Sequence, residues 1–275
     1  MRVRSLHVYP IKGCQGIKLE HLCVGFNGPE MDRELLVVDE QDRFVTQRTD
    51  PQLATVSVRM GSGGLIVTSS RIGRLLAIRL PYVPYGRYRE IKIWKDKVGS
   101  VDLGEEASLW FSHVLGRTVR LVRLAGRRES KGTSIHGQRV ETAFADAYPI
   151  LMTSMESLAW LNERLAERGK ESVGMERFRP NIVVEEVNGA FDEESFGRMS
   201  IGEMNLLGVS RCTRCPVVTT DQLTGEVDPD DEPRATLREL HAFSKGPSFG
   251  MNVDHLTVGT IHVGDQIALI ERVVR

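Results

Sequence analysis

No apolar run in the 275-residue sequence approaches the roughly 18 residues that a membrane-spanning helix needs, because charge or glycine breaks every candidate stretch. Nor is there net charge to speak of: 36 Lys plus Arg against 37 Asp plus Glu leave −1. That balance argues against a dedicated nucleic-acid or polybasic membrane-surface protein, so any anion site must be a local arrangement. Cysteine is scarce, at four residues, too few for a disulfide scaffold in a chain this long. The N-terminal MRVRSLHVYPIKG lacks the apolar core of a secretory signal. A cytoplasmic protein with free thiols is the expectation, with neither nucleic acid nor membrane as a partner. The seven histidines form no H-E-x-x-H or H-x-E pattern and no P-loop is present, which removes support for a zincin, a zinc deaminase or a Walker-type nucleotide site. Gly246-Pro247-Ser248-Phe249-Gly250 spells G-x-S-x-G, but no strand pattern leads into it, and Asp254 and His255 follow too closely to be separate triad partners.

What is present is a chain long enough for one large domain or two ordinary ones, 41% hydrophobic, able to bury a core unaided. Short β-rich runs are expected at Val3 to Tyr9, Leu35 to Asp39, Phe44 to Gln47, Ala54 to Arg59, Leu65 to Ser69, Leu75 to Leu80 and Glu90 to Trp94. Turn residues separate most of them, which favours an antiparallel sheet or barrel over βαβ units. Three helices are legible. Apolar residues recur at helical spacing in Glu105 to Leu115, with Gly116 placed as a C-terminal cap. Thr153 and Glu156 have capping-box spacing ahead of Leu158, Leu161 and Leu165, and Gly169 ends the pattern. A third helix is expected after Pro233, through Leu237 and Leu240. Between the first two lies AGRRESKGTSIHGQRV, Ala125 to Val140, which reads as an exposed loop. Further strands are expected at Ile182 to Glu185, Met204 to Val209, Thr260 to Val263 and Gln266 to Ile270. The fold class is mainly β with inserted helices.

The sharpest chemical feature is Cys212-Thr213-Arg214-Cys215-Pro216. A C-x-x-C has three usual readings: a zinc half-site, a redox pair, or a reactive thiolate. Cys14 and Cys23 are too widely spaced to complete a zinc site as a second such pair, and the β-branched Val217-Val218-Thr219-Thr220 follows a strand pattern rather than opening a helix. A thiolate on a strand end or turn beside Arg214 remains, against the plainer reading of two buried cysteines. Arg177-Phe178-Arg179-Pro180-Asn181 would, in extended chain, point two guanidinium forks the same way to grip a phosphate or carboxylate; ion pairs to Glu176 and Glu186 are the alternative. Tyr9-Pro10-Ile11-Lys12-Gly13-Cys14 and Asp32-Arg33 offer further cations, each of which alone is compatible with solvated surface.

In order, these elements resemble the family of MOSC-domain proteins with an N-terminal MOSC β-barrel domain, the group of the mitochondrial amidoxime-reducing component and its bacterial relatives. Arg48-Thr49-Asp50-Pro51, Ala147-Tyr148-Pro149, Thr219-Thr220-Asp221, Thr224-Gly225-Glu226, Phe249-Gly250-Met251-Asn252 and Val263-Gly264-Asp265 complete the set. The resemblance implies an N-terminal β-barrel domain over residues 1–120, a MOSC β-barrel domain over 121–275, and a molybdenum cofactor (molybdopterin). By the same resemblance Cys215 is the metal ligand and catalytic centre, and Lys12, Arg33, Arg179, Asn181, Thr213 and Arg214 contact the cofactor. The implied activity is reduction of N-hydroxylated compounds, with Asp221 or a water giving a proton; pyridoxal phosphate binding is a further expectation. Gly13-Cys14 departs from the serine that relatives commonly carry after the lysine. With Arg275 directly after the last strand, without a ferredoxin-like extension, electrons are expected from an external electron-donor protein. A carrier of cofactor or sulfur using Cys215 is the rival reading.

Overall fold

Arg2–Val8 reads RVRSLHV, with Val3, Leu6 and Val8 buried and Arg2 and Arg4 outside, the period-two pattern of a strand with one face on a core. In the computed structural model, which describes residues 1–73, 76–82, 86–126, 128–133 and 139–273, this strand lies between Ile17–Leu19 and Ile182–Glu185. From there a nine-stranded sheet continues through Ile150–Ser154, Gly246–His255, Met204–Thr213 and Arg198–Ile201 to Ile267–Leu269, with Ala242–Phe243 as a side branch on Gly246–His255. Its pairings are antiparallel except Ile150–Ser154 with Ile182–Glu185, where Met152 faces Ile182 in parallel register. All five residues of Ile150–Ser154 are buried, as a strand in the middle of a covered sheet requires. Val3, Leu6, Met152, Val184, Met251 and Val253 share one apolar core on this sheet.

A second core gathers around helix α1, Glu105–Leu115, which buries Ala107, Phe111 and Val114. Its Gly116 is left-handed at φ 70° and donates to the Ser112 carbonyl, the cap that the glycine announced. Around α1 stand a four-stranded sheet, Leu35–Val38, Arg120–Leu124, Asp96–Asp102 and Tyr88–Ile93, and a three-stranded sheet, Val56–Gly61, Gly64–Ser69 and Ile78–Pro81. His21–Gly25 pairs with Gly259–His262 near the other end of the chain. The fold is thus mainly β, with three α-helices among the described residues.

Several local expectations are corrected. Helix α2 spans Met155–Glu167 and buries Leu158, Leu161 and Leu165 as its spacing predicts, but its cap is Ser154, whose Oγ accepts from the Ser157 N–H at 3.1 Å. Glu156 reaches instead to the backbone of Glu186 and Val187. Helix α3, Arg234–Leu240, follows Pro233 as expected. Of Phe44 to Gln47 only Phe44 makes an isolated bridge, to Val38, beside one from Arg43 to Lys92. The supposed loop Ala125 to Val140 contains the antiparallel strands Glu129–Thr133 and Arg139–Glu141; Arg128 is buried because its Nη1 donates to the Ala143 and Ala145 carbonyls. Positions 127 and 134–138 of that segment, and Leu75 of the expected strand Leu75 to Leu80, lie outside the described residues.

Gly250 allows the long strand Gly246–His255 to pass close to its neighbour. It has φ 83°, and a Cβ there would meet the Met152 carbonyl oxygen at 2.5 Å and Thr153 Cγ2 at 2.7 Å. Both the left-handed backbone and the clash oppose any side chain. Gly250→Ala should therefore lower unfolding free energy by about 2 to 4 kcal/mol, measured by urea titration; a change within experimental error would show that the strand can shift away.

Candidate functional site

Tyr9 directly follows the first strand and becomes the hub of a cationic cluster. Its backbone N–H donates to the buried Asp32 carboxylate at 2.9 Å, and its hydroxyl donates to the Pro180 carbonyl at 3.1 Å. Against its ring lie two guanidinium groups, Arg33 at 4.7 Å and Arg179 at 4.3 Å from the centroid, within cation–π range. Arg33 donates to Asp32, to Asn181 Oδ1 at 3.3 Å and to the Arg179 carbonyl at 3.1 Å. Both arginines have left-handed backbones, φ 52° and 57°, uncommon for residues with a side chain. At Arg179 the following Pro180 already disfavours the right-handed helical region.

Burial and the neighbouring Arg33 push the Arg179 pKa down to about 10. Burial also opposes the charge on Arg33, but Asp32 outweighs it and holds that pKa above the ordinary value. Arg179 is only 8% exposed, and among the described residues it has no ion-paired carboxylate and its Nη2 lacks any hydrogen-bond acceptor. A buried donor of this kind is expensive to leave unpaired, and an anion in the cleft would supply what it lacks.

The second wall comes from the end of the strand Met204–Thr213. Arg214 Nη1 donates to Cys212 Sγ at 2.9 Å and its Nη2 to the Phe178 carbonyl at 2.7 Å, while Nε is buried without a partner. Burial raises the Cys212 pKa, against the lowering influence of Arg214. Cys215 stands at the head of a 3₁₀ turn, Pro216–Thr219, so the β-branched residues after it do not continue as a strand. Pro216 begins the turn, and Thr219 Oγ1 closes it onto the Pro216 carbonyl at 2.8 Å. The cation beside Cys215 is Arg48. Burial lowers the pKa of this guanidinium, but contact with the Cys215 sulfur and the charge of Asp146 raise it above the ordinary value. Trp94 braces Arg48 from behind at 5.2 Å.

Between these walls is a cleft of about 440 Å³, lined by Lys12, Arg33, Arg179, Asn181, Thr213, Arg214 and Cys215, and also by Arg48, Asp146, Arg211 and Lys245. Every expected cofactor-contacting residue therefore borders one space. Asn181 and Lys12 are engaged as well: Asn181 Oδ1 accepts from the Leu151 N–H and its Nδ2 donates to the His7 carbonyl, and Lys12 Nζ donates to the Phe144 carbonyl at 2.6 Å and Asp146 at 2.7 Å. Against partial desolvation, Lys12, Arg48 and Arg33 hold the pKa of the half-exposed Asp146 down to about 2. Asp221 is not among the lining residues. Its Oδ1 accepts from the Leu223 and Thr224 N–H groups and its Oδ2 from Arg177. The expected pairing of Arg177 with Arg179 in extended chain is absent, because Met175–Arg177 is a 3₁₀ turn that sends Arg177 to Thr219 and Asp221. Sequence reading gave no role to Arg48, Asp146, Arg211 or Lys245. Only Arg48 lay in a quoted motif, and none has a local pattern that sets it apart from surface charge.

Among the described residues no three His, Cys, Asp or Glu side chains cluster as metal ligands, and all four cysteines are free. The donor set, the partly exposed thiols of Cys212 and Cys215 among convergent cations with unpaired N–H groups, instead fits an anionic group that brings its own metal. No described helix is long and apolar enough to cross a membrane.

Residues 1–118 match the family model of the MOSC N-terminal beta barrel domain, and residues 139–268 that of the MOSC domain. Mitochondrial amidoxime reducing component 2 of Macaca fascicularis is 31% identical, with 96% of this chain and 82% of that protein aligned. Mitochondrial amidoxime-reducing component 1 of Mus musculus is 32% identical over 98% of this chain and 82% of its own length. The molybdenum cofactor sulfurase of Solanum lycopersicum is 27% identical over 85% of this chain, but only 30% of that longer protein is aligned.

Outside the cleft lining, Glu193 is fully buried and accepts from Ser154 Oγ and Ser157 Oγ, each at 2.8 Å. Burial outweighs these bonds and raises its pKa to about 7. The folded state therefore binds a proton more tightly than the unfolded chain, whose glutamates titrate near about 4.3. Stability from this group is fully present below that value and is lost as pH rises through about 7. Between those limits the loss should reach up to about 3 kcal/mol. In Glu193→Gln this slope should flatten, as read by denaturant titrations at successive pH values; an unchanged profile would exclude Glu193 as its source.

Proposed function

The chain belongs to the MOSC family, with a MOSC N-terminal beta barrel domain ahead of its MOSC domain, and we propose that it is a molybdenum-cofactor-dependent oxidoreductase that reduces N-hydroxylated compounds. The single observation that carries this reading is the thiol of Cys215, with Arg48 beside it, sharing one cleft with a buried, anion-seeking arginine, Arg179. A bound molybdenum cofactor would supply the two-electron redox centre for N–O cleavage, with Cys215 as its protein ligand. Arg179 and Arg214 hold the cofactor phosphate through their unpaired N–H groups, assisted by Arg33 and by the remaining donor of Lys12. Asn181 orients Arg33, and Thr213 borders the cofactor from the strand end.

In the overall change the N-hydroxylated compound gains two electrons and two protons and is split into the reduced nitrogen base and water. Asp146 and Asp221 are both held below the ordinary carboxylate range, so they are ionised at neutral pH and water supplies the protons. Asp221 is assigned to holding the turn through Leu223 and Thr224. Arg48 keeps a donor beside Cys215 where the N–O oxygen would approach. Electrons come from a separate donor protein, and four free thiols suit a reducing compartment such as the cytoplasm. Residues 1–120 and 121–275 are assigned as the two modules in chain order, with Arg2–Val8 lent to the second module's sheet.

Protein from a molybdenum-replete host should carry about one molybdenum per chain and reduce members of a panel of N-hydroxylated substrates with an artificial donor under anaerobic conditions. Absence of both metal and turnover would overturn the reading; a persulfide on Cys215 without turnover would favour a sulfur or cofactor carrier. Cys215→Ser should lose activity and metal, whereas Cys212→Ser should keep a measurable rate. Equal loss from both would indicate a dithiol site. Arg179→Ala should weaken cofactor retention by about 1.5 to 3 kcal/mol, read as molybdenum content after extended dialysis.

A further inference from the structure

Seven cationic side chains line the cleft against a single carboxylate, Asp146. One cofactor phosphate does not account for them. Lys12 and Arg33 have Asp146 and Asp32 as partners, and Arg179 with Arg214 suffices for a dianion. Arg211 and Lys245 stand apart from this group: among the described residues no hydrogen bond or ion pair joins either to the cluster around Tyr9. Arg211 is built into place from behind. Its Nε lies 3.3 Å from Oε2 of the buried Glu194, which is held in turn by His241 Nε2 at 3.0 Å. The Phe243 ring lies 5.8 Å from its guanidinium carbon. No acceptor within the described residues takes up its two terminal nitrogens. Lys245 sits exposed between Ala242–Phe243 and Gly246–His255, with no ion pair among the described residues.

On the reductase reading above, we propose that Arg211 and Lys245 recognise an oxyanion on the substrate, so that the preferred substrates are N-hydroxylated compounds bearing a carboxylate or phosphate. A planar fork and a mobile point charge make a complementary pair for such a group. Three residues separate Arg211 from Cys215, so their Cα atoms lie within about 14 Å of each other. A small aromatic or aliphatic scaffold spans that interval, with its acid at Arg211 and its N–OH at Cys215. The neutral overall composition conceals this selectivity, because the cations are concentrated on the cleft wall.

The test is equilibrium binding by calorimetry to the holoprotein, with molybdenum quantified in each preparation. Three ligands are compared: benzamidoxime, its 4-carboxylate, and a phosphate-bearing counterpart. One or both anionic ligands should bind about tenfold tighter than the neutral one at low ionic strength, and the better anion identifies the group. The advantage should shrink with added salt. Lys245→Ala, an exposed change that leaves the core intact, should reduce it several-fold, and Arg211→Gln should remove it. Equal affinity for neutral and anionic ligands would overturn the proposal. So would loss of molybdenum from Lys245→Ala, because the pair would then serve the cofactor. Anion preference without reduction of any ligand would support the oxyanion site while overturning the reductase reading.

Discussion

Two guanidinium groups held against one tyrosine ring, away from water, set the terms for the rest of the site. Arg33 and Arg179 repel one another across Tyr9, and only one of them has a carboxylate of its own. Such an arrangement persists only where the surrounding fold over-determines it. Here Asp32 locks Tyr9 and Arg33 together, the Tyr9 hydroxyl ties down Pro180, and Arg33 grips the Arg179 carbonyl. The apolar cores position the strands; this polar knot determines where their ends point. Its residual charge turns a gap between strands into a place for an anion.

The polar contacts also join parts of the chain that are far apart in sequence. Gln222 Oε1 accepts from Gln47 at 3.1 Å and from Arg179 at 3.3 Å. Gln15 donates to the carbonyls of Ala54 and Gln222. Lys12 meets Asp146, and Arg48 meets Cys215. The segment Pro51–Thr55 and the turn around Gly225 lie so close that a Cβ on Gly225 would be 3.2 Å from the Pro51 carbonyl oxygen. The thiol wall and the lysine wall are consequently held in register by side chains from both modules, and the chemistry of the cleft is a property of their junction.

Much of this was legible in the sequence where one physical cause dominates. Strands such as Ile182–Glu185 and helices α1 and α2 announce themselves by apolar period, and Gly116 by the conformation it alone adopts easily. The site's inner residues were reachable because Lys12, Arg33, Arg179 and Cys215 sit in motifs with family likeness. What escaped was set by tertiary contact. Ser154 displaced Thr153 as cap because its hydroxyl also serves Ser157 and Glu193. Pro216 turned a β-branched run into a 3₁₀ turn, and the left-handed backbone at Arg179 broke the extended geometry that would have paired it with Arg177. Arg211 and Lys245 acquire meaning only through Glu194, Phe243 and the cleft itself.

The strands Arg2–Val8 and Ile17–Leu19 join a sheet otherwise built from residues beyond 149, with Arg2–Val8 flanked on one side by Ile17–Leu19 and on the other by Ile182–Glu185. The backbone groups of Arg2–Val8 complete the ladder there, and its valines and leucine fill that sheet's core. The two modules therefore do not separate at a cut between them: a gene fragment encoding only the second would expose an unpaired strand edge and an open core. The region between residues 30 and 120 carries Arg33 and Arg48 of the cleft, and the first thirty residues must travel with the distant C-terminal sheet that they complete. Inheritance of the cleft is thereby tied to both ends of the chain.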